Sequence, residues 1–291
     1  VKAWLPVSMP VLPVLAAVSI SLVALSACGD NQTTQEHANY EGGAPAPLAC
    51  APNLDGKIEA KELQAAIGIP LSYLFSPSGK SRTVDLAGKP DAQGHLTWDM
   101  AVDYADDQVV HTQASPIKGK WYAASFPDSA FVVPSDAAAR VEGVYVYDTA
   151  GYHLLGLASF IEAPPEGKTL YVYDAPVDIF RFPLAPGLTY TSTGNVKNAT
   201  LRGLPYAGTD TYVINVDGSG ILTLTDITFS QALRVRTTLT ATPVAGKAVT
   251  TRQTSFLFEC FGEVARATSQ TDETQDNFTT AAEVRRLGLL P

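Results

Sequence analysis

Cysteine and histidine are scarce in this chain: 3 Cys and 4 His among 291 residues. His37, His95, His111 and His153 are too far apart to share a helix face, and Cys50 and Cys260 are equally remote from one another. A zinc site of ordinary ligand spacing is therefore not visible. The sequence also has no glycine-rich phosphate loop, dinucleotide fingerprint or nucleophile elbow, which removes the linear signatures of common nucleotide-dependent and serine-nucleophile enzymes. Positive charge is short as well. Twenty Lys and Arg stand against 29 Asp and Glu, for a formal charge of −9. A chain of that sign repels nucleic acid and anionic head groups. With 46% hydrophobic and 17% charged residues it can still bury a core.

From Trp4 to Ala27 the chain has no acidic residue, no Arg and no Lys; Lys2 is the one charge ahead of this run. A positive start, an apolar middle and small residues at the end are the order of a secretory signal. An uncleaved membrane span is the alternative, since the run is long enough to cross, although Pro6, Pro10 and Pro13 disfavour one continuous helix. Leu25-Ser26-Ala27-Cys28 at its end resembles the lipobox of bacterial lipoproteins. That resemblance implies cleavage before Cys28, a thioether-linked diacylglycerol on its sulfur and a fatty acyl group such as palmitate on the new amine. Several chains together give stable anchoring where one would be marginal. Gly29 follows, and Asp30 is one place too late for the inner-membrane retention signal. The expected location is the cell envelope, periplasm included, with lipid anchoring to the outer membrane where the cell has one. Residues 1–27 then form the signal peptide. Residues 28–49, polar and rich in Gly, Ala and Pro, form a spacer behind the lipidated cysteine.

Export puts the remaining cysteines where disulfides persist, and Cys50 and Cys260 make one pair. A bridge is expected; two buried thiols are the alternative. Just after Cys50, the stretch Ala51 to Glu62 resembles an EF-hand loop. Asn53, Asp55, Glu59 and Glu62 fall on oxygen-ligand places and Gly56 on the sharp turn. Ala51 has no side-chain oxygen where the loop should begin, and Pro52 stiffens it. The favoured reading is a helix over Glu59–Ile67, capped by Asn53 or Asp55 and ended by Gly68 and Pro70. No cofactor is expected, with calcium at Asn53, Asp55, Glu59 and Glu62 as the alternative.

The body reads as strand. Leu96, Trp98, Met100, Val102 and Tyr104 alternate with mostly polar neighbours. Further strands are expected at Val141–Tyr147, Leu154–Ile161, Leu170–Tyr173, Leu233–Arg236 and Thr254–Arg266. A hairpin is expected where Tyr212–Val216 turns at Asp217-Gly218-Ser219-Gly220 into Ile221–Leu224. The fold expected is mainly β: an antiparallel sandwich, roll or half-barrel with a short N-terminal helix and a C-terminal helix over Thr279–Leu290. Its parts are a helix-containing lead-in at 50–80, the β body at 81–275 with a sub-boundary near 163–167, and a tail at 276–291. Phe180-Arg181-Phe182-Pro183-Leu184 and the later Leu233-Arg234-Val235-Arg236 are similar to a group of secreted and lipid-anchored β-proteins. That likeness, over about residues 170–265, implies export and β-structure and carries no activity. Arg234 and Arg236 read as exposed residues between buried Leu233 and Val235.

Chemistry is harder to find. Asp103, Asp106 and Asp107 near His111 read as a solvated turn, and the histidines have no evident partners. The aromatic residues Trp98, Trp121, Tyr122, Tyr145, Tyr147, Tyr171 and Tyr173 read as core before they read as a ligand platform. The expectation is a non-catalytic binding or scaffold domain held to a membrane by its lipid. A carrier of a lipid or other hydrophobic ligand in a curved sheet is the first alternative. A hydrolase with dispersed residues, which leaves no linear signature, is the second. The expected partners are the membrane and a protein or hydrophobic ligand, with no nucleic acid.

Overall fold

The computed structural model describes residues 50–288 apart from 65, 93 and 137. The expected signal peptide, the Cys28 lipid site, His37 and the spacer lie outside the described residues. Strands dominate. They are β1 Leu71–Phe75, β2 Arg82–Thr83, β3 Lys89–Pro90, β4 Leu96–Asp99, β5 Gln108–Thr112, β6 Ser115–Pro116, β7 Phe131–Pro134 and β8 Val141–Tyr147. There follow β9 Gly151–Ser159, β10 Leu170–Arg181, β11 Thr189–Leu201, β12 Leu204–Thr223, β13 Thr228–Pro243, β14 Val249–Phe258, β15 Gly262–Ser269 and β16 Thr280–Gly288. They form one open sheet, in which β6 to β16 is an antiparallel meander and β16 continues through β1 to β5. A sandwich of two sheets is thereby replaced by a single one. The 163–167 stretch connects β9 and β10, which pair with each other.

The sheet curls. Tyr145 on β8 lies within electrostatic reach of Glu263 and Arg266 on β15 and Arg285 on β16. In a flat sheet seven strand spacings would separate β8 from β15, about 34 Å. Alternation then sorts side chains to two faces. Leu233 and Val235 face inward with Ile214, Val216, Tyr212 and Leu257, while Phe256, Ala265 and Ala267 face outward beneath Trp98 and Leu86. The segment running through β2, β3 and β4 lies across this outer face, with β4 pairing in parallel beside β12.

Four sequence readings are corrected here. Asp217-Gly218-Ser219-Gly220 is not a turn: β12 runs straight through it as a 20-residue strand, with register shifts on either side. The glycines serve close approach instead, because a Cβ on Gly220 would run into the Leu96 carbonyl of β4. The C-terminal helix is also absent. Thr280–Gly288 is strand β16, held between β15 and β1. Its Ala, Glu, Val and Arg are tolerable helix formers, but two open strand edges decide the outcome over propensity. The N-terminal helix shrinks from Glu59–Ile67 to Ala60–Gln64, too short to stand without tertiary support. Finally, Arg234 is buried at 6% exposure, donating to Asp217 Oδ1 at 2.6 Å and to the carbonyls of Leu86 and Ala87. Its guanidinium also lies over the Trp98 ring.

Candidate functional site

Cys50 and Cys260 are joined by a disulfide, with Cα atoms 5.6 Å apart, inside the range such bridges require. The four oxygen-bearing residues after Cys50 are committed to local bonds. Asn53 Oδ1 accepts from the Asp55 amide and Asp55 Oδ1 from the Lys57 amide. Glu59 pairs with Lys57 and Lys61. Glu62, 2% exposed, accepts from the Glu59 amide at 2.8 Å and from the Asn53 side chain at 3.1 Å. Glu62 reaching back three residues is one half of a capping box, so the helix start is served by Glu62 where the sequence suggested Asn53 or Asp55. The Asn53 and Leu54 amides donate to Glu259, beside Cys260.

The histidines do have partners, set by strand register. His111 faces Ser72 across β5 and β1, with Nδ1 2.9 Å from its hydroxyl. His153 faces Asp178 across β9 and β10, Nδ1 to Oδ1 2.7 Å, with Asp148 3.5 Å from Nε2. His95 meets Asp91 at 3.2 Å. The His153–Asp178 pair is half of a nucleophile-activating set, but Nε2 faces the Asp148 carboxylate, and no hydroxyl is bonded to this imidazole among the described residues. Asp106 lies exposed in a turn, as expected, but Asp107 does not. Asp107 is paired with Arg286 and, at 2.9 Å, with Arg82. Only folding can bring residues 82, 107 and 286 together, so no linear pattern announces them.

Inside the curl, Glu263 on β15 binds Arg285 on β16 and the Ser255 hydroxyl on β14, and Arg266 binds Glu283. Tyr73, Tyr145 and Tyr152 surround these charges. Burial raises the Tyr145 phenol, and it pushes the Tyr73 phenol up to about 12. Burial would raise Glu263 too, but Arg285 and Arg266 outweigh it and hold its carboxyl below 4.5. A carboxyl whose folded value is depressed stabilises the fold above its unfolded value and loses that contribution as acid protonates it. Stability is therefore expected to fall as pH drops below about 4.5, and Glu263→Gln should flatten that slope while lowering stability at pH 7. Urea midpoints at pH 7 and pH 3.5 for both proteins measure this. A slope unchanged by the substitution would assign the acid sensitivity elsewhere. A second buried set, Asp210 with the hydroxyls of Tyr171 and Tyr173, joins β10 to β12; burial raises both phenols.

The outer face holds a cleft. Asp85, Lys89, Thr97, Trp98, Asp99 and Thr223 line a cavity of about 310 Å³. A smaller one of about 50 Å³ shares Asp85 and Asp99 and reaches Arg82, Tyr104 and Arg286. Trp98 is 2% exposed and its Nε1 has no hydrogen-bond partner among the described residues. Gly88 stands in front of that N–H: a Cβ there would sit 2.5 Å from Nε1. Its φ of +77° suits glycine alone, so backbone and space agree. An unsatisfied buried donor costs about 1–3 kcal/mol. The strand reading places Trp98 in the core, which it is, with Phe256 5.0 Å from its ring. What periodicity misses is that Gly88 packs directly on the edge of that ring.

No known family profile matches the chain, and neither a curated protein nor a solved structure is similar to it. Function therefore rests on the geometry. Among the described residues no helix is long and apolar enough to cross a membrane, and no group of three His, Cys, Asp or Glu is placed to hold a metal ion.

Proposed function

We propose that this chain is an exported, lipid-anchored envelope protein whose curled sheet, a half-barrel, binds a small polar ligand in the Trp98 cleft without changing its bonds. One observation carries the binding role: the charged residues Asp85, Lys89 and Asp99 line one cavity of about 310 Å³ on the outer face, and Asp85 and Lys89 form no ion pair among the described residues. The curled sheet argues against a lipid carrier, since its inner face holds Glu263, Arg266, Arg285 and Glu283 where an acyl chain would lie. A hydrolase would need a nucleophile beside His153, and among the described residues its two nitrogens meet the carboxylates of Asp178 and Asp148.

The test is recovery of small molecules that co-purify with the full-length protein from its own envelope. The expected result is one compound retained intact, and lost from both Lys89→Ala and Asp85→Asn. A compound that is consumed with turnover would replace binding by catalysis. Anchoring is tested separately: Cys28→Ala should abolish incorporation of labelled palmitate and leave the protein uncleaved by the lipoprotein signal peptidase. Label persisting on the variant would refute the lipid site.

A further inference from the structure

On the inner face, away from the cleft, tyrosines converge on one carboxylate. Asp210 on β12 is 4% exposed, and Tyr171, Tyr173 and Tyr212 beside it are buried too. Its Oδ2 accepts from the Tyr171 hydroxyl and, at 2.7 Å, from that of Tyr173, whose oxygen lies 3.1 Å from the Tyr212 hydroxyl. β11 lies between β10 and β12, and register explains how the groups meet across it. Gly194 is the β11 residue opposite Asp210, and a Cβ there would sit 2.3 Å from the Tyr173 ring. The ring therefore crosses β11 where a side chain is missing. Asp210 Oδ1 is buried without a hydrogen-bond partner, and no cation pairs with this carboxylate among the described residues. Tyr206, partly exposed, stacks on Tyr171 with centroids 5.4 Å apart, and Tyr171 meets Tyr173 edge-on at 5.3 Å. A row of phenol rings thus leads from the surface to the buried carboxylate.

We propose that Tyr171 is a radical-quenching site, giving one electron through the Tyr206 ring to an external radical of the peroxyl class while its proton passes to Asp210 Oδ2. The Tyr171 O–H bond breaks and an O–H bond forms on Asp210. Tyr171 becomes a neutral phenoxyl, Asp210 a carboxylic acid, and the oxidant leaves as its anion. An electron from a diffusible reductant of the ascorbate class and the proton from Asp210 then restore the phenol. Three observations carry this. A phenol that loses an electron but keeps its proton is a cation, which a buried site cannot solvate, and burial also keeps both phenols from ionising beforehand. A base already in hydrogen-bond contact is therefore required, and Asp210 is one. Asp210 is also free to take the proton, because no cation holds it in its charged form. Tyr122 with Glu142 is the contrast: the same phenol-to-carboxylate bond is made, but Lys120 pairs with Glu142 at 2.7 Å and keeps it ionised. Last, Tyr206 gives the buried pair an electronic contact with the surface that needs no opening of the fold.

The test is flash oxidation of the full-length protein in detergent by tris(bipyridine)ruthenium(III), a one-electron oxidant, followed by transient absorption and freeze-quench electron paramagnetic resonance. Surface phenoxyls decay by meeting one another, whereas one buried on Tyr171 cannot, so a long-lived phenoxyl signal is expected. Tyr171→Phe should abolish that signal, and Tyr122→Phe should leave it unchanged. Asp210→Asn keeps the shape of the side chain and removes the base. It should lower the rate of formation by about tenfold or more, the equivalent of one charge-assisted hydrogen bond. Tyr206→Phe alters a partly exposed ring, so the fold is kept whatever the buried variants do, and it should slow formation while leaving the lifetime unchanged. Ascorbate should remove the signal and return the protein unmodified, as mass spectrometry reads. A long-lived phenoxyl that survives Tyr171→Phe, or that forms at the same rate in folded Asp210→Asn, would overturn the site. Formation unaffected by Tyr206→Phe would overturn the route, and the absence of any long-lived phenoxyl would overturn the quenching role.

Discussion

Replacing Asp107 by Ala is expected to cost about 3–5 kcal/mol, the loss seen when one partner of a buried ion pair is removed. The Asp107 carboxylate is 5% exposed and sits between Arg286, 2% exposed, and Arg82, 9% exposed. Arg286 also donates to the carbonyls of Met100 and Val102, so its guanidinium pins the stretch after β4 against β16. Without the carboxylate, two cations remain in a space that solvent barely reaches. Their mutual repulsion and lost solvation act together. For a domain of this size each kcal/mol shifts Tm by about 2–4 °C, so a fall of about 6–20 °C is expected. Calorimetry of Asp107→Ala measures it. The double variant with Arg286→Met should recover part of the loss, since it removes the stranded charge. A fall in Tm below 2 °C would show the cluster to be solvated and structurally idle.

Reducing the Cys50–Cys260 bond should have an effect of similar size. Its partners are 210 residues apart, and closing so long a loop removes at most about 5 kcal/mol of unfolded-chain entropy, less whatever structure the unfolded chain keeps. The bond ties the start of the described chain to the turn between β14 and β15. There Glu259 already holds the Asn53 and Leu54 amides, and the Ile58 amide and carbonyl pair with Leu184. These contacts should keep the segment docked at low temperature after reduction, so the loss appears in the melt, not in the native fold. The expected result is a Tm lower by up to about 20 °C in reductant, with both thiols labelled only after reduction. Labelling in unreduced, denatured protein would disprove the bridge.

The parts of the fold that follow from local alternation are legible in the sequence. Leu233 and Val235 point to one face and Trp98 is buried on β4 because period-two patterning records which face is inside. Long-range decisions are not so recorded. Asp217-Gly218-Ser219-Gly220 has turn composition, yet its glycines exist to admit the backbone of β4, a strand more than a hundred residues earlier. The Ala-Ala-Glu-Val-Arg-Arg segment has helix composition, yet it fills the gap between β15 and β1. Arg234 and Arg286 look like surface residues until the segment carrying β2 to β4 covers them, and Arg82, on that segment, is buried as it docks. The same covering segment creates the cleft: Asp85, Lys89 and Asp99 come from the cover, Thr223 from the sheet beneath. A site assembled between a cover and a sheet has no fixed spacing to find.

The most direct test of the account is the indole N–H resonance of Trp98 in full-length protein carrying ¹⁵N-labelled tryptophan. Assignment follows from its loss in Trp98→Phe, with Trp121 as the internal reference because its own N–H donates to the Ser159 carbonyl at 2.8 Å. Trp98 is among the residues lining the cleft, so the ligand recovered from the envelope is predicted to shift the Trp98 resonance saturably while Trp121 does not move. A bound ligand that leaves the Trp98 resonance unshifted would contradict it.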